Sequence, residues 1–111
     1  MPSKINLQVE HPMSIKLATT DQIPEGKGIT VTADGKEIAL FKYEGKIYAI
    51  DAVCPHLGGP LGEGCLEKDL VTCPWHGWQF DIRTGKCESM PGEDISCYPI
   101  EVIGNDVFLK S

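Results

Sequence analysis

Long apolar runs are missing from this sequence: no stretch of its 111 residues approaches the roughly 18 needed to cross a bilayer as a helix. Basic charge is scarce too. Lys plus Arg total 10 against 16 Asp plus Glu, a formal net charge of -6, which argues against nucleic acid, whose phosphates call for basic surface. The acid excess suits a partner with a positive docking face, because charge complementarity speeds encounter; it serves solubility equally well. The start, Met1-Pro2-Ser3-Lys4-Ile5-Asn6-Leu7-Gln8-Val9-Glu10, lacks the apolar stretch of a secretory signal, so a cytoplasmic location is the default expectation. Five cysteines cannot all pair within one chain, and reduced thiols, some used as ligands, fit better than a disulfide framework. Neither a nucleophile–base motif nor a phosphate-binding glycine loop is present, which leaves a hydrolase or transferase unsupported.

What is present suggests one domain. Hydrophobic residues make up 41% of the chain, enough for a packed core and too many for wholesale disorder, and the length leaves no room for a second core. Residues 1 to 14 lack periodicity and hold Pro2 and Pro12, so they are read as a flexible N-terminal arm before a single domain over residues 15–111. Twelve glycines and eight prolines favour turns over long helices. The one helical turn expected lies near Ser14 to Ile23, stopped by Pro24. Ile38–Tyr43 and Ile47–Ile50 flank Glu44-Gly45-Lys46 as a β-hairpin. Leu70-Val71-Thr72 and Gln79-Phe80-Asp81-Ile82 read as strands, Arg83-Thr84-Gly85-Lys86 as a turn. Tyr98–Val102 and Val107–Leu109 form a closing hairpin across Gly104-Asn105-Asp106. Short strands at this spacing predict an all-β fold, an antiparallel sandwich or small barrel.

Two segments concentrate the chemistry: Cys54-Pro55-His56-Leu57-Gly58-Gly59-Pro60-Leu61 and Cys73-Pro74-Trp75-His76-Gly77-Trp78. The pattern is Cys-x-His, sixteen residues (57 to 72), then Cys-x-x-His. Each segment offers one thiolate and one imidazole in a Pro- and Gly-rich loop that can fold tightly round a metal and aim backbone N–H groups at anionic sulfur. Two Cys and two His could hold tetrahedral zinc, but zinc fingerprints usually space like ligands as pairs, whereas here Cys and His alternate. A [2Fe–2S] cluster with two thiolates on one iron and two imidazoles on the other takes one ligand of each kind from each loop.

At these residues the sequence resembles the Rieske iron–sulfur family, and the likeness runs from about Ser14 to Leu109. Leu61-Gly62-Glu63-Gly64 and Gly77-Trp78-Gln79-Phe80-Asp81 after the two boxes are similar to family members, and Met90-Pro91-Gly92 falls where members carry a proline loop over the cluster. The resemblance implies antiparallel sheets with a cluster-binding subdomain of two loops at one tip. It also implies one [2Fe–2S] cluster on Cys54, His56, Cys73 and His76, each imidazole binding through one nitrogen and exposing its other edge. Leu57, Gly58, Gly59, Trp75, Gly77, Trp78 and Pro91 would surround the cluster. Pro91 is expected to cap it, and Trp75 and Trp78 to shield it from water rather than touch a partner. Cys65, Cys87 and Cys97 are expected to be small buried or half-buried residues, and His11 has no partner motif.

Departures from the pattern place the chain within the family. High-potential members carry an extra Cys in each loop, joined as a disulfide; the matching positions here are Gly59 and Trp75. They also donate Ser and Tyr hydroxyls to the cluster sulfurs, where this chain has Trp78 and Phe80. Without those donors the added electron is less stabilised, and a potential near roughly -150 mV, the low end of the Rieske range, is expected. The resemblance then points to the soluble Rieske ferredoxins, one-electron carriers from an NAD(P)H-dependent flavin reductase to a terminal oxygenase. A terminal oxygenase itself would continue into a longer domain with mononuclear iron, so an electron carrier and not an enzyme is expected, as a monomer. The alternative is the small subunit of an assimilatory nitrite reductase. Thiolates carry charge and neutral imidazoles do not, so added negative charge should settle on the histidine side. Glu63, Glu67 and Asp69, between the two boxes, are the expected docking charges.

Overall fold

The computed structural model describes residues 15–55 and 58–110; the expected flexible arm, and His56 and Leu57 of the first box, lie outside the described residues. Among these residues nine strands follow in order: β1 Ile15–Thr19, β2 Gly28–Ala33, β3 Lys36–Tyr43, β4 Lys46–Asp51, β5 Cys65–Glu67, β6 Leu70–Thr72, β7 Gln79–Asp81, β8 Ile100–Ile103 and β9 Asp106–Leu109. They pair antiparallel in three three-stranded sheets, β1-β9-β8, β2-β3-β4 and β5-β6-β7. The fold is all-β, and its only helical pieces among the described residues are single 3-10 turns at Thr20–Gln22 and Leu61–Glu63.

Two-residue turns set the hairpins. Glu44 and Gly45, between β3 and β4, sit at φ 54° and 79°, the doubly positive geometry whose twist matches that of the flanking strands. Glu25 secures this tip, its carboxylate accepting the N–H groups of Glu44 (2.6 Å) and Gly45 (3.0 Å). The expected helical turn near Ser14 to Ile23 is corrected: Ile15–Thr19 is a strand, and one 3-10 turn follows. Pairing with β9, from Ile15 opposite Leu109 to Thr19 opposite Asp106, overrides the weak local preference.

Two apolar cores support the sheets. One gathers Ala18, Ile23, Ala33, Ile38, Leu40 and Ala49. The other holds Phe41, Ile50, Leu61, Val71, Phe80 and Ile82, together with Cys54, Cys73 and Cys87. The second core forms the floor of the two Cys/His loops, and Leu61 and Phe80, fully buried, lie just after them in the chain. Backbone bonds from Ala52 to Glu37 (3.0 Å) and from Leu61 to Ala52 (2.8 Å) tie the first loop to the end of the β2-β3-β4 sheet, and one from Ile82 to Asp69 (2.9 Å) ties the chain after β7 to the turn between β5 and β6.

Candidate functional site

The two boxes prove to be one loop design used twice. In the first, the Cys54 N–H donates to Gly59 O (2.9 Å) and the Gly58 N–H donates to Cys54 O (2.9 Å). In the second, the Cys73 N–H donates to Trp78 O (2.8 Å) and the Gly77 N–H to Cys73 O (3.0 Å). Both turns need a left-handed residue four positions after the cysteine, and Gly58 (φ 81°) and Gly77 (φ 84°) supply it. The signal was legible as Cys-Pro-x-x-Gly written twice, and the sequence reading did not use it. The design fixes each cysteine at the base of its loop and leaves the histidine to differ in place, second after Cys54 and third after Cys73.

Cys54, Cys73 and His76 come together. Their ligand atoms all lie within 4.8 Å of one another, with His76 Nε2 3.1 Å from Cys54 Sγ and 3.5 Å from Cys73 Sγ. Both thiols are buried and His76 is half-buried, so the sulfurs face the protein and the imidazole faces outward. The Trp78 N–H points at His76 Nδ1 (3.5 Å), and the Trp78 ring meets the imidazole edge-on at 5.3 Å between centroids. His56, the fourth expected ligand, and Leu57 lie outside the described residues.

The remaining expected surroundings separate into two kinds. Gly59 is buried against Cys73 and Trp75, and Trp78 is half-buried on the second core. Trp75 stands 61% exposed, too open to shield anything. Pro91 is exposed in the 88–94 loop, which is attached to the exit of the second box: the Gln79 N–H donates to Ser89 Oγ (3.0 Å) and the Glu88 N–H to Gln79 O (2.8 Å). Cys87, a buried core residue, turns that loop by accepting the Met90 N–H at Sγ (3.3 Å) while its own N–H meets Asp94 Oδ1 (2.9 Å). Cys65 and Cys97 are exposed, against expectation. Asp69 is engaged by Arg83 at 3.1 Å, which leaves Glu63 and Glu67 as the exposed acids of the expected docking set.

The donor set suits a mixed thiolate–imidazole centre. Two sulfurs and an imidazole nitrogen converge from two loops, each closed by the N–H groups of its cysteine and its glycine, and no buried side-chain polar atom among the described residues lacks a partner. Soft thiolates favour iron–sulfur or zinc binding.

Comparison with known proteins decides the family. The Rieske [2Fe-2S] domain matches residues 13–99. The chain is 42% identical over 97 residues to the ferredoxin component of the naphthalene 1,2-dioxygenase/salicylate 5-hydroxylase systems of a Ralstonia species, covering 86% of this chain and 93% of that one. Among solved structures it is similar to the ferredoxin found in complex with its oxygenase in carbazole 1,9a-dioxygenase, with a TM-score of 0.80, 26% identity and coverage of 88% and 93%. It shares its fold (TM-score 0.81, 23% identity, coverage 88% and 94%) with a protein described as the small subunit of an NADH-dependent nitrite reductase from Mycobacterium tuberculosis. The loops, their converging ligands and these likenesses agree: the chain belongs to the Rieske [2Fe-2S] family.

Proposed function

We propose that this chain is the ferredoxin component of an aromatic-ring dioxygenase system, carrying single electrons on one Rieske-type cluster bound by Cys54, His56, Cys73 and His76. The observation that carries the reading is the convergence of Cys54 Sγ, Cys73 Sγ and His76 Nε2 from two loops to within 4.8 Å of one another. The likeness to dioxygenase ferredoxins over most of both chains supports it. The nitrite-reductase reading has the shared fold behind it, at 23% identity against 42% for the dioxygenase ferredoxin.

The bound cluster supplies one-electron redox chemistry. Everything else falls to the chain. Cys54 and Cys73 would hold the group from within the apolar core, where Phe80 and Leu61 keep water away. His76, half-buried, would be its solvent-side ligand, and Trp78 packs against the imidazole ring from the edge. The partners of the carrier are an NAD(P)H-dependent flavin reductase on the donor side and a terminal oxygenase on the acceptor side. It works as a monomer in the cytoplasm; no described helix is long and apolar enough to cross a membrane.

The test is a redox titration with electron paramagnetic resonance on anaerobically purified protein. A mixed-ligand [2Fe–2S] signal with a midpoint near the low end of the Rieske range, roughly -150 mV, is expected. A midpoint above roughly +100 mV overturns the low-potential assignment, and zinc in place of iron removes the electron-transfer reading. Co-purification with a large sirohaem protein would move the chain to the nitrite-reductase class.

A further inference from the structure

Gly64, at the exit of the first Cys/His loop, is a glycine that backbone freedom does not explain. Its φ is -75° and its ψ 164°, a conformation open to every L-residue. Space explains it instead. A Cβ on Gly64 would overlap the carbonyl oxygen of Thr72, and would lie 3.1 Å from the carbonyl carbon and 2.9 Å from Val71 Cγ2. Two stretches of backbone therefore touch with no side chain between them, and one of them is Thr72, the residue just before Cys73. Neither stretch can retreat. The Gly64 N–H donates to Leu61 O (3.0 Å), and the N–H of the fully buried Leu61 donates to Ala52 O (2.8 Å), two residues before Cys54. Thr72 pairs with Cys65 in β5 and with Gln79 in β7, and its Oγ1 accepts Gln79 Nε2 at 3.2 Å.

We infer that Gly64 is a positioning residue for the cluster: its missing side chain sets the separation of Cys54 and Cys73. The inference rests on the cluster reading proposed above. A run of backbone contacts leads from the first cysteine loop through Leu61 and Gly64 to Thr72 and the second. At its two ends stand the Sγ atoms of Cys54 and Cys73, which reach His76 Nε2 at 3.1 and 3.5 Å. A side chain at 64 must push the loops apart, because close-packed backbone transmits strain where a side chain would turn away. Gly62 makes the contrast. A Cβ there would overlap Thr30 Oγ1, an exposed hydroxyl free to change rotamer, and would lie 3.3 Å from Ile29 O.

The experiment follows loss of iron to a chelator, midpoint potential and paramagnetic g values in the full chain carrying its cluster. Gly64→Ala should keep the β-sheet circular dichroism, lose iron roughly tenfold faster and shift both potential and g values. Gly62→Ala should match the unaltered chain, and so should Ile38→Val, which loosens the other apolar core without touching either loop. Native iron retention and g values in folded Gly64→Ala overturn the inference. So do equal changes in Ile38→Val, which would assign them to general stability. If Gly64→Ala does not fold, Val71→Ala/Gly64→Ala removes the side-chain overlap and keeps the carbonyl one, and it should show the same losses relative to Val71→Ala. A native spectrum in that double variant, or its failure to fold, also overturns a role in cysteine spacing. An unaltered chain that takes up zinc and no iron counts instead against the carrier reading, and is told apart by metal content before any variant is compared.

Discussion

Gly59 and Trp75, one from each cysteine loop, touch: a side chain started at Gly59 would place its Cβ 3.3 Å from the Cβ of Trp75. These are the positions that carry the extra cysteines in high-potential members of the family. Disulfide partners hold their Cβ atoms about 3.5–4.5 Å apart, so the backbone here is already close to cross-linking distance. The double variant Gly59→Cys/Trp75→Cys should close a disulfide between the loops in oxidised glutathione, seen as a mass two hydrogens below the reduced form. If the two new thiols remain titratable after oxidation, the loops are not juxtaposed as described.

A second relationship governs acid stability. Burial alone would raise the Asp81 carboxyl, but Arg83 outweighs it, donating its backbone N–H (2.8 Å), Nε (3.2 Å) and Nη2 (3.1 Å), and the carboxyl titrates below its ordinary range. A carboxylate held low in the folded state contributes stability that is fully present above the unfolded value, about 3.9, and lost as pH falls through the lower folded value. Asp81→Asn should therefore cost about 1 kcal/mol at pH 7, and the gap between variant and unaltered chain should close below pH 4. Urea unfolding at the two pH values reads it; a gap independent of pH would rule out the charge as the cause.

How much of this was written in the sequence depends on whether the signal was local. The Glu44-Gly45 hairpin and the all-β class followed from turn residues and strand alternation, because a two-residue turn fixes its own register. The strand Ile15–Thr19 was misread as a helical turn, since its partner β9 is at the other end of the chain. Neither β2 nor β5 was identified, and β5, three residues long, is a strand only through β6. The Cys/His chemistry was legible from ligand types and spacing. The openness of Trp75 and the capture of Asp69 by Arg83 were not, because burial and ion pairing are set by which loops meet.

Tyr98 carries an alkaline counterpart to Asp81. Its hydroxyl donates to Asp51 Oδ1 while Asp51 Oδ2 accepts the Ser96 N–H (3.0 Å), fastening the segment before β8 to the end of β4. Burial, then the bond to Asp51 and its negative charge, push the phenol up to about 12. A group raised in the folded state contributes stability that is present below the unfolded value, about 10, and lost as pH rises through the folded one. Tyr98→Phe should be less stable than the unaltered chain by about 1 kcal/mol at pH 8, and the difference should shrink between pH 10 and 12. A difference that persists undiminished at pH 12 would assign the loss to packing.

The repeated loop design ends differently in its two copies, and Ser89 completes the second. After Gly59 comes Pro60, which has no N–H to satisfy; after Trp78 comes Gln79, whose N–H does, and Ser89 Oγ accepts it at 3.0 Å. The peptide between Trp78 and Gln79 is thus held on both sides, by Cys73 through its carbonyl and by Ser89 through its N–H. One lost backbone hydrogen bond at an exposed site is worth about three- to tenfold in local opening. Ser89→Ala should speed amide exchange at Gln79 by that factor and leave the global unfolding midpoint nearly unchanged, and Ser89→Thr should retain the protection. Faster exchange spread over all of β6 and β7 would mean that Ser89 supports the sheet as a whole, and unchanged exchange at Gln79 would remove its role in holding the second loop.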